Sequence, residues 1–204
     1  GSAAVDLLLP GSRAAEALAP AALLPVDPRA LAGPGPRDHR ISETRVLARE
    51  APGEPEPDGP FRRVARAILA YEVWPEWLMV GELSGSPLRA GDTFGNRVVL
   101  AGVAHAFFAG RVKECFDGPA AGGWRAGFTL QTVSGHPAVG EETIEARKDA
   151  ATGEVAARIS SWSRPADWWA WPGLPLMRWL QRAAVRGALA RLGRAAAVTS
   201  PGSP

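Results

Sequence analysis

Apolar and polar positions alternate with period two along most of the second half of the chain. Residues 93–101 (TFGNRVVLA), 103–116 (VAHAFFAGRVKECF), 124–133 (WRAGFTLQTV), 141–147 (EETIEAR) and 154–162 (EVAARISSW) each read as a β-strand. Gly, Pro or Asp turns separate them, which predicts an antiparallel meander. An earlier segment, RISETRVLA (40–48), reads as a first strand with Ile41 and Val46 out of phase. Two stretches have the helical period instead. FRRVARAILAY (61–71) places Phe61, Val64, Ala65, Ile68 and Leu69 on one face, with Asp58-Gly59-Pro60 as a start and Trp74-Pro75 as a stop. LPLMRWLQRAAVRGALARLGRAAA (174–197) predicts a helix ~36 Å long. One of its stripes carries Met177, Leu180, Gln181, Ala184, Ala188 and Leu192, and another carries Arg178, Arg182 and Arg186.

This order of elements implies an α+β fold. A curved antiparallel sheet has one face to bury, and the long C-terminal helix is the element able to cover it. Because Ala184 and Ala188 fill little volume, the packing leaves room for a pocket between sheet and helix. Residues 1–60 hold ten of the 19 prolines. That enrichment marks 1–37 as an Ala/Pro-rich flexible extension and 51–60 (APGEPEPDGP) as a loop. The expected domain is then 38–197, with a disordered tail at 198–204.

The phase of each strand selects the candidate residues. Trp124, Ala126, Phe128 and Leu130 share an apolar face, as do Glu142, Ile144 and Ala146 on the next strand. That puts the Glu142 carboxylate on the apolar side, where a lone charge is costly. Two readings of it stay open. In one it is structural, bonding backbone amides of the GHPAVGEE turn or pairing with Arg164. In the other it is an inward acid with a raised pKa, poised for proton transfer. Ser161 falls in the same phase as Val155, Ala157 and Ile159, and would meet the pocket beside Glu142. His136, between Gly135 and Pro137, reads as a structural turn residue. Cys115 falls on the face of Arg111 and Lys113, with His105 on that same face unless Gly110 marks a bulge.

Composition narrows the chemistry. With 46% hydrophobic residues and a formal charge of +2, the chain holds a real core and no polyelectrolyte signal. Lys occurs only at Lys113 and Lys148, so nearly every cation is Arg, and the Arg stripe is one helix face without a wider basic surface. No nucleic-acid partner is expected. The single cysteine, Cys115, rules out an intramolecular disulfide, and no His or Cys stands at metal-ligand spacing. Glycine-rich phosphate loops and the hydrolase G-x-S-x-G elbow are missing from the sequence, so no cofactor is expected. The apolar run 17–26 is interrupted by Pro20 and Pro25, no secretory leader is visible, and Gly1-Ser2 reads as a cloning remnant. A cytoplasmic location is the expectation; oligomeric state has no signal.

The segments GFTLQTVSGHPAVGEETIEA, RISSWSRPA and LPLMRWLQRAAVRGAL resemble a bacterial and plant family, the domain of unknown function numbered nineteen-ninety. The matches are Gly127-Phe128, Gly135-His136-Pro137, Gly140-Glu141-Glu142 and Ser163-Arg164-Pro165, within a similarity spanning roughly 38–194. The family is similar to the START-like helix-grip superfamily. That resemblance implies a lipophilic ligand held between the sheet and the C-terminal helix. The residues expected to bind it are Phe108, Trp124, Phe128, Leu130 and Ile159 on the strands, and Met177 and Gln181 on the helix. Trp168 and Trp169 join them from the DWWAWPG segment (167–173).

Three functions compete. The first is binding of a hydrophobic small molecule. The second is a cofactor-free cyclase, isomerase or dehydratase with Glu142 as acid/base, assisted by Ser161. The third is a peripheral membrane or protein-interaction module built on Trp168, Trp169, Trp171 and Trp179 with the Arg178, Arg182, Arg186 stripe.

Overall fold

The computed structural model describes residues 5–8, 14–85, 87–100, 104–166 and 174–197. In chain order these form β1 (Val5–Leu8), α1 (Ala14–Ala21), α2 (Pro28–Leu31), β2 (His39–Arg49), α3 (Pro60–Leu69) and β3 (Met79–Leu83). Then come β4 (Thr93–Leu100), β5 (Ala104–Ala120), β6 (Gly123–Thr132), β7 (Ala138–Asp149), β8 (Glu154–Pro165) and α4 (Leu174–Ala197). Seven strands lie in the order β2-β8-β7-β6-β5-β4-β3, all antiparallel, and β1 pairs with β5 beyond the end of β6. The result is a curved sheet closed over a C-terminal helix, the helix-grip arrangement.

Two bulges set the strand phases. One lies between Val46 and Ala48 in β2, which accounts for the broken alternation of that segment. The other lies at Lys113 in β5, between Val112 and Glu114. It shifts the rest of β5 by one residue, so Cys115 faces Phe128 on the concave side and packs against the core. The expected grouping of Cys115 with Arg111 and Lys113 is therefore corrected.

The concave face is covered by two helices rather than one. The α3 helix packs on β6, β7 and β8, and buries Phe61, Val64, Ala65 and Ile68 completely or nearly so. The α4 helix lies along α3 and over β2 and β8, burying Ala184, Val185, Ala188, Leu189, Leu192 and Ala196. The division follows from side-chain volume: α3 supplies Phe and Ile to fill the middle of the grip, while the alanines of α4 allow close approach. Phe61, Phe128, Ile144, Ile159 and Leu192 are all fully buried in this cluster. Each contributes roughly 1.5–3 kcal/mol by leaving water.

The convex face is covered too, by the segment expected to be flexible. Ala17, Leu18 and Ala21 of α1 pack on Phe107, Ala109 and Val133. Arg111 donates from Nη2 to the carbonyls of Ala22 and Leu24 at 3.0 and 2.8 Å. Val26 bridges Val133, and the buried Asp27 carboxylate is held by Arg29, which keeps it below its usual pKa. The described part of 1–37 is thus a folded flap on the sheet, while 198–204 lies outside the described residues. None of the described helices is long and apolar enough to cross a membrane.

At one end of the grip the core contains a charge pair. Lys148 continues the inward phase of Ile144 and Ala146, and its Nζ meets Glu50 Oε2 at 2.8 Å with both side chains at 0% exposure. The same ammonium donates to the Glu54 carbonyl, and Glu50 Oε1 accepts the Phe61 N–H at the start of α3. The pair ties β7, the 51–60 loop and α3 together. Replacing Lys148 by Met strands a buried carboxylate and is expected to destabilise the fold by about 3–5 kcal/mol. Denaturant unfolding measures this, and a loss below about 1 kcal/mol contradicts it.

Candidate functional site

The GHPAVGEE segment is the connection between β6 and β7. Gly135 takes φ 87°, a left-handed conformation, and the His136 N–H closes the turn on the Val133 carbonyl at 3.2 Å. His136 Nδ1 lies 3.0 Å from the Ala138 nitrogen and 2.8 Å from the Ala138 carbonyl oxygen, so its tautomer selects one of the two. Burial lowers the ring pKa to about 4, and the ring packs near Phe108 with centroids 5.7 Å apart. His136 is a neutral brace of the turn. At Gly140 a Cβ would lie 2.1 Å from the Trp162 carbonyl oxygen, so only glycine lets β7 and β8 approach there.

That pairing delivers the two glutamates to opposite faces. Glu141 points outward, where it accepts from Gln131 at 2.6 Å and from Lys113 at 2.9 Å. Glu142 points into the concavity, in register with Leu130 on one side and Ser161 on the other. Among the described residues Glu142 makes no hydrogen bond or ion pair. Burial raises its pKa from 4.5 to about 7. Surrounding protein atoms desolvate the carboxyl, yet the residue keeps some accessible surface on the concave side.

The expected structural partners of Glu142 are not there. Arg164 lies on the convex face, opposite Val139 in the register, and pairs with Asp38 at 2.8 Å while donating to the Arg29 carbonyl. The same period-two rule that turns Glu142 inward turns Arg164 outward. No backbone amide of the turn reaches the Glu142 carboxylate either. Ser161 is half-buried, and its hydroxyl makes no hydrogen bond among the described residues.

Two further polar residues, Tyr71 and Asn96, converge on this end of the concavity. Tyr71, just beyond α3, is buried and donates its hydroxyl to Asn96 Oδ1 at 3.0 Å. Burial above all pushes the hydroxyl's pKa well up, and the Glu142 charge adds to the effect. Asn96 stands on β4 opposite Phe108 of β5 and is half-buried. The alternation Phe94, Asn96, Val98 in TFGNRVVLA signalled an inward Asn. The backbone reversal at Tyr71 had no signal short of the fold.

The expected ligand-binding residues divide into three groups. Phe128 and Ile159, both at 0% exposure, are filled core and cannot border a space, and Leu130 at 4% belongs with them. This corrects their placement on a pocket wall: α3 occupies the volume assigned to the pocket. Trp124 is half-buried at the far end of β6, opposite Lys148, so it does not share a wall with Glu142. Phe108 and Gln181 are half-buried, alongside the half-buried Ile41, Met79 and Leu180. Trp168 and Trp169, and the side chain of Met177, lie outside the described residues.

The first turns of α4 stand near β2, because the charges of Arg178 and Arg182, after burial, lower the pKa of His39. Arg178, Arg182 and Arg186 are exposed, and Trp179 is 62% exposed. Burial raises the Cys115 thiol pKa, which makes it a poor nucleophile. Among the described residues there is no His, Cys, Asp and Glu cluster able to hold a metal ion.

No curated protein matches the sequence. Among solved structures, the chain is similar to Ara h 8.0201, with 11% identity, 77% of this chain and 96% of that one covered, and a TM-score of 0.45. It is likewise similar to a norcoclaurine synthase point mutant of Thalictrum flavum, solved with a transition-state analogue, at 13% identity, 77% and 94% coverage and a TM-score of 0.49. A Chromobacterium violaceum protein matches at 19% identity, 78% and 98% coverage and a TM-score of 0.46. The family described as "Domain of unknown function (DUF1990)" matches residues 27–191, a span that takes in the α2 segment, the β2–β8 meander and most of α4. The chain belongs to this family.

Proposed function

We propose that the protein binds a hydrophobic small molecule at the end of the grip bounded by Glu142, Asn96, Phe108 and the first half of α4. The observation that carries this reading is Glu142. A carboxyl group deep in a fold, with accessible surface and no partner among the described residues, is stable only if something other than protein faces it. Ile41 stands opposite Ser161 in the register and Phe108 opposite Asn96, and these apolar side chains, like Met79 and Leu180, are half-buried. A few polar groups set in an apolar surround are the usual composition of a small-molecule site. Native mass spectrometry of protein purified from its own host tests the reading. The expected result is a retained apolar molecule, displaced by denaturation; protein of bare mass that also takes up no neutral apolar probe contradicts it.

The raised pKa favours a second reading, in which the bound molecule is transformed. An isomerisation, cyclisation or dehydration needs a proton delivered at one atom and withdrawn at another. A carboxyl with a pKa of about 7 is populated in both forms near neutrality. Ser161, opposite it across β7 and β8, can hold an oxygen of the substrate. In this reading Glu142→Gln abolishes turnover while leaving affinity for the molecule nearly intact, because shape is kept and only the exchangeable proton is lost.

Both readings require the same dependence of stability on pH. A carboxyl whose folded pKa is raised contributes its full stability below about 4.5, where it is protonated in both states. Stability is then lost as pH rises to about 7, because the unfolded chain gives up the proton first. Allowing for the accessible surface the group retains, the loss is on the order of 2 kcal/mol. Glu142→Gln is therefore expected to match the wild type at pH 4 and to melt about 4–8 °C higher at pH 8. Calorimetry at the two pH values checks this; a Gln variant less stable at pH 8, or a difference independent of pH, contradicts it.

A further inference from the structure

Tyr71 has a φ of 61°, in the left-handed region that non-glycine residues seldom occupy. The surroundings hold it there. Its ring packs against Phe94 and Phe128 at centroid distances of 5.8 and 5.6 Å, and it fills the space that a Cβ on Gly81 would take, 2.3 Å from the ring. What this arrangement fixes is the hydroxyl, which donates to Asn96 Oδ1 at 3.0 Å. The Trp74 indole N–H lies near the same hydroxyl, short of hydrogen-bond geometry, and its positive end favours the orientation in which the hydroxyl donates onward. With one lone pair of Oδ1 taken by the Tyr71 hydroxyl, the uncommitted groups of the Asn96 side chain are its two N–H donors and one remaining lone pair. Those donors meet no acceptor among the described residues, although Asn96 is half-buried on the concave face.

The anchor therefore presents mainly donors. Glu142, when protonated, offers an O–H donor to the same concavity, and among the described residues no cation offsets its charge when it ionises. A ligand bearing a carboxylate would add a second negative charge beside the first in a poorly solvated place, which is unfavourable. A purely hydrocarbon ligand would leave the Asn96 N–H groups and Glu142 without partners. Between these extremes lies one chemical class. We propose that Asn96, oriented by Tyr71, is the polar anchor of the site, and that the ligand is a neutral, largely apolar molecule carrying a carbonyl-type oxygen. Tyr71 acts as a positioning residue, through Asn96. This inference rests on the binding reading above and adds the ligand's chemistry to it.

Three probes of one size separate the possibilities: 2-acetylnaphthalene, a neutral ketone; 2-methylnaphthalene, a hydrocarbon; and 2-naphthoate, an anion. Each is titrated at pH 7 into the full chain and into Asn96→Leu and Tyr71→Phe, with tryptophan fluorescence or calorimetry as the readout. The wild type is expected to bind the ketone most tightly and the anion least. Asn96→Leu should weaken the ketone about tenfold while the hydrocarbon changes less than twofold. Tyr71→Phe keeps the ring packing but frees the amide, so the preference for ketone over hydrocarbon should fall severalfold. If Asn96→Leu does not fold, Tyr71→Phe carries the test alone. An unchanged ketone preference in either folded variant, equal losses for both neutral probes, or tightest binding of 2-naphthoate overturns the anchor. If the wild type binds neither neutral probe up to its solubility limit, the binding reading itself falls, and the anchor with it.

Discussion

The cost of placing an ionisable group away from water governs how this fold can be used. The grip takes two carboxylates of its concave side away from water, one toward each end, and it treats them differently. At one end Glu50 is paired with Lys148 at 2.8 Å, satisfied on its second oxygen by the start of α3, and sealed from solvent. At the other end Glu142 has no partner among the described residues and keeps accessible surface. Pairing satisfies the first group within the protein. Desolvation without pairing pushes the second toward its neutral form, with a pKa of about 7. The contrast sets a paired, sealed end of the grip against one whose carboxyl is desolvated without a partner among the described residues.

Packing reinforces that division. The α3 helix inserts Phe61, Val64 and Ile68 against Phe128, Ile144 and Ile159, and leaves that half of the concavity with no room for a ligand. The α4 helix runs past this plug, and the side chains under its first half are only partly buried. On the convex side the residues before β2 form a flap over Phe107 and Val133. Arg164 and Asp38 tie the end of β8 to the segment leading into β2. A rigid, doubly covered sheet can hold an unsatisfied polar group in place where a looser one would relax around it. The strained Tyr71 backbone is a second sign of this over-determination.

Much of this was legible in the strand alternation. The period of two in EETIEAR and EVAARISSW correctly turned Glu142 and Ser161 to one face, and the helical period of 61–71 and 174–197 located both principal helices. Other features lay beyond a local pattern. The Lys113 bulge reverses the face of Cys115 through a pairing irregularity that period counting does not see. Charge alone suggests Arg164 as a partner for Glu142, but strand phase puts the two on opposite faces. The place of α3 on the sheet depends on tertiary packing, and so the volume assigned to a pocket at Phe128 and Ile159 is filled. Lys148 was in the inward phase all along, but a lysine on an apolar face becomes intelligible only once Glu50 is seen to reach it. The helices before residue 37 were obscured by the proline content of that segment, and Met79–Leu83 by its shortness.

The most direct measurement of the central claim is the titration of Glu142 itself, followed by carboxyl-carbon NMR on selectively labelled protein with Glu142→Gln as the assignment control. An internal, unpartnered carboxyl predicts a midpoint near 7, well separated from the surface glutamates. A midpoint at the ordinary value of 4.5 would contradict the account, because it would mean that Glu142 is solvated or paired and faces no enclosed space.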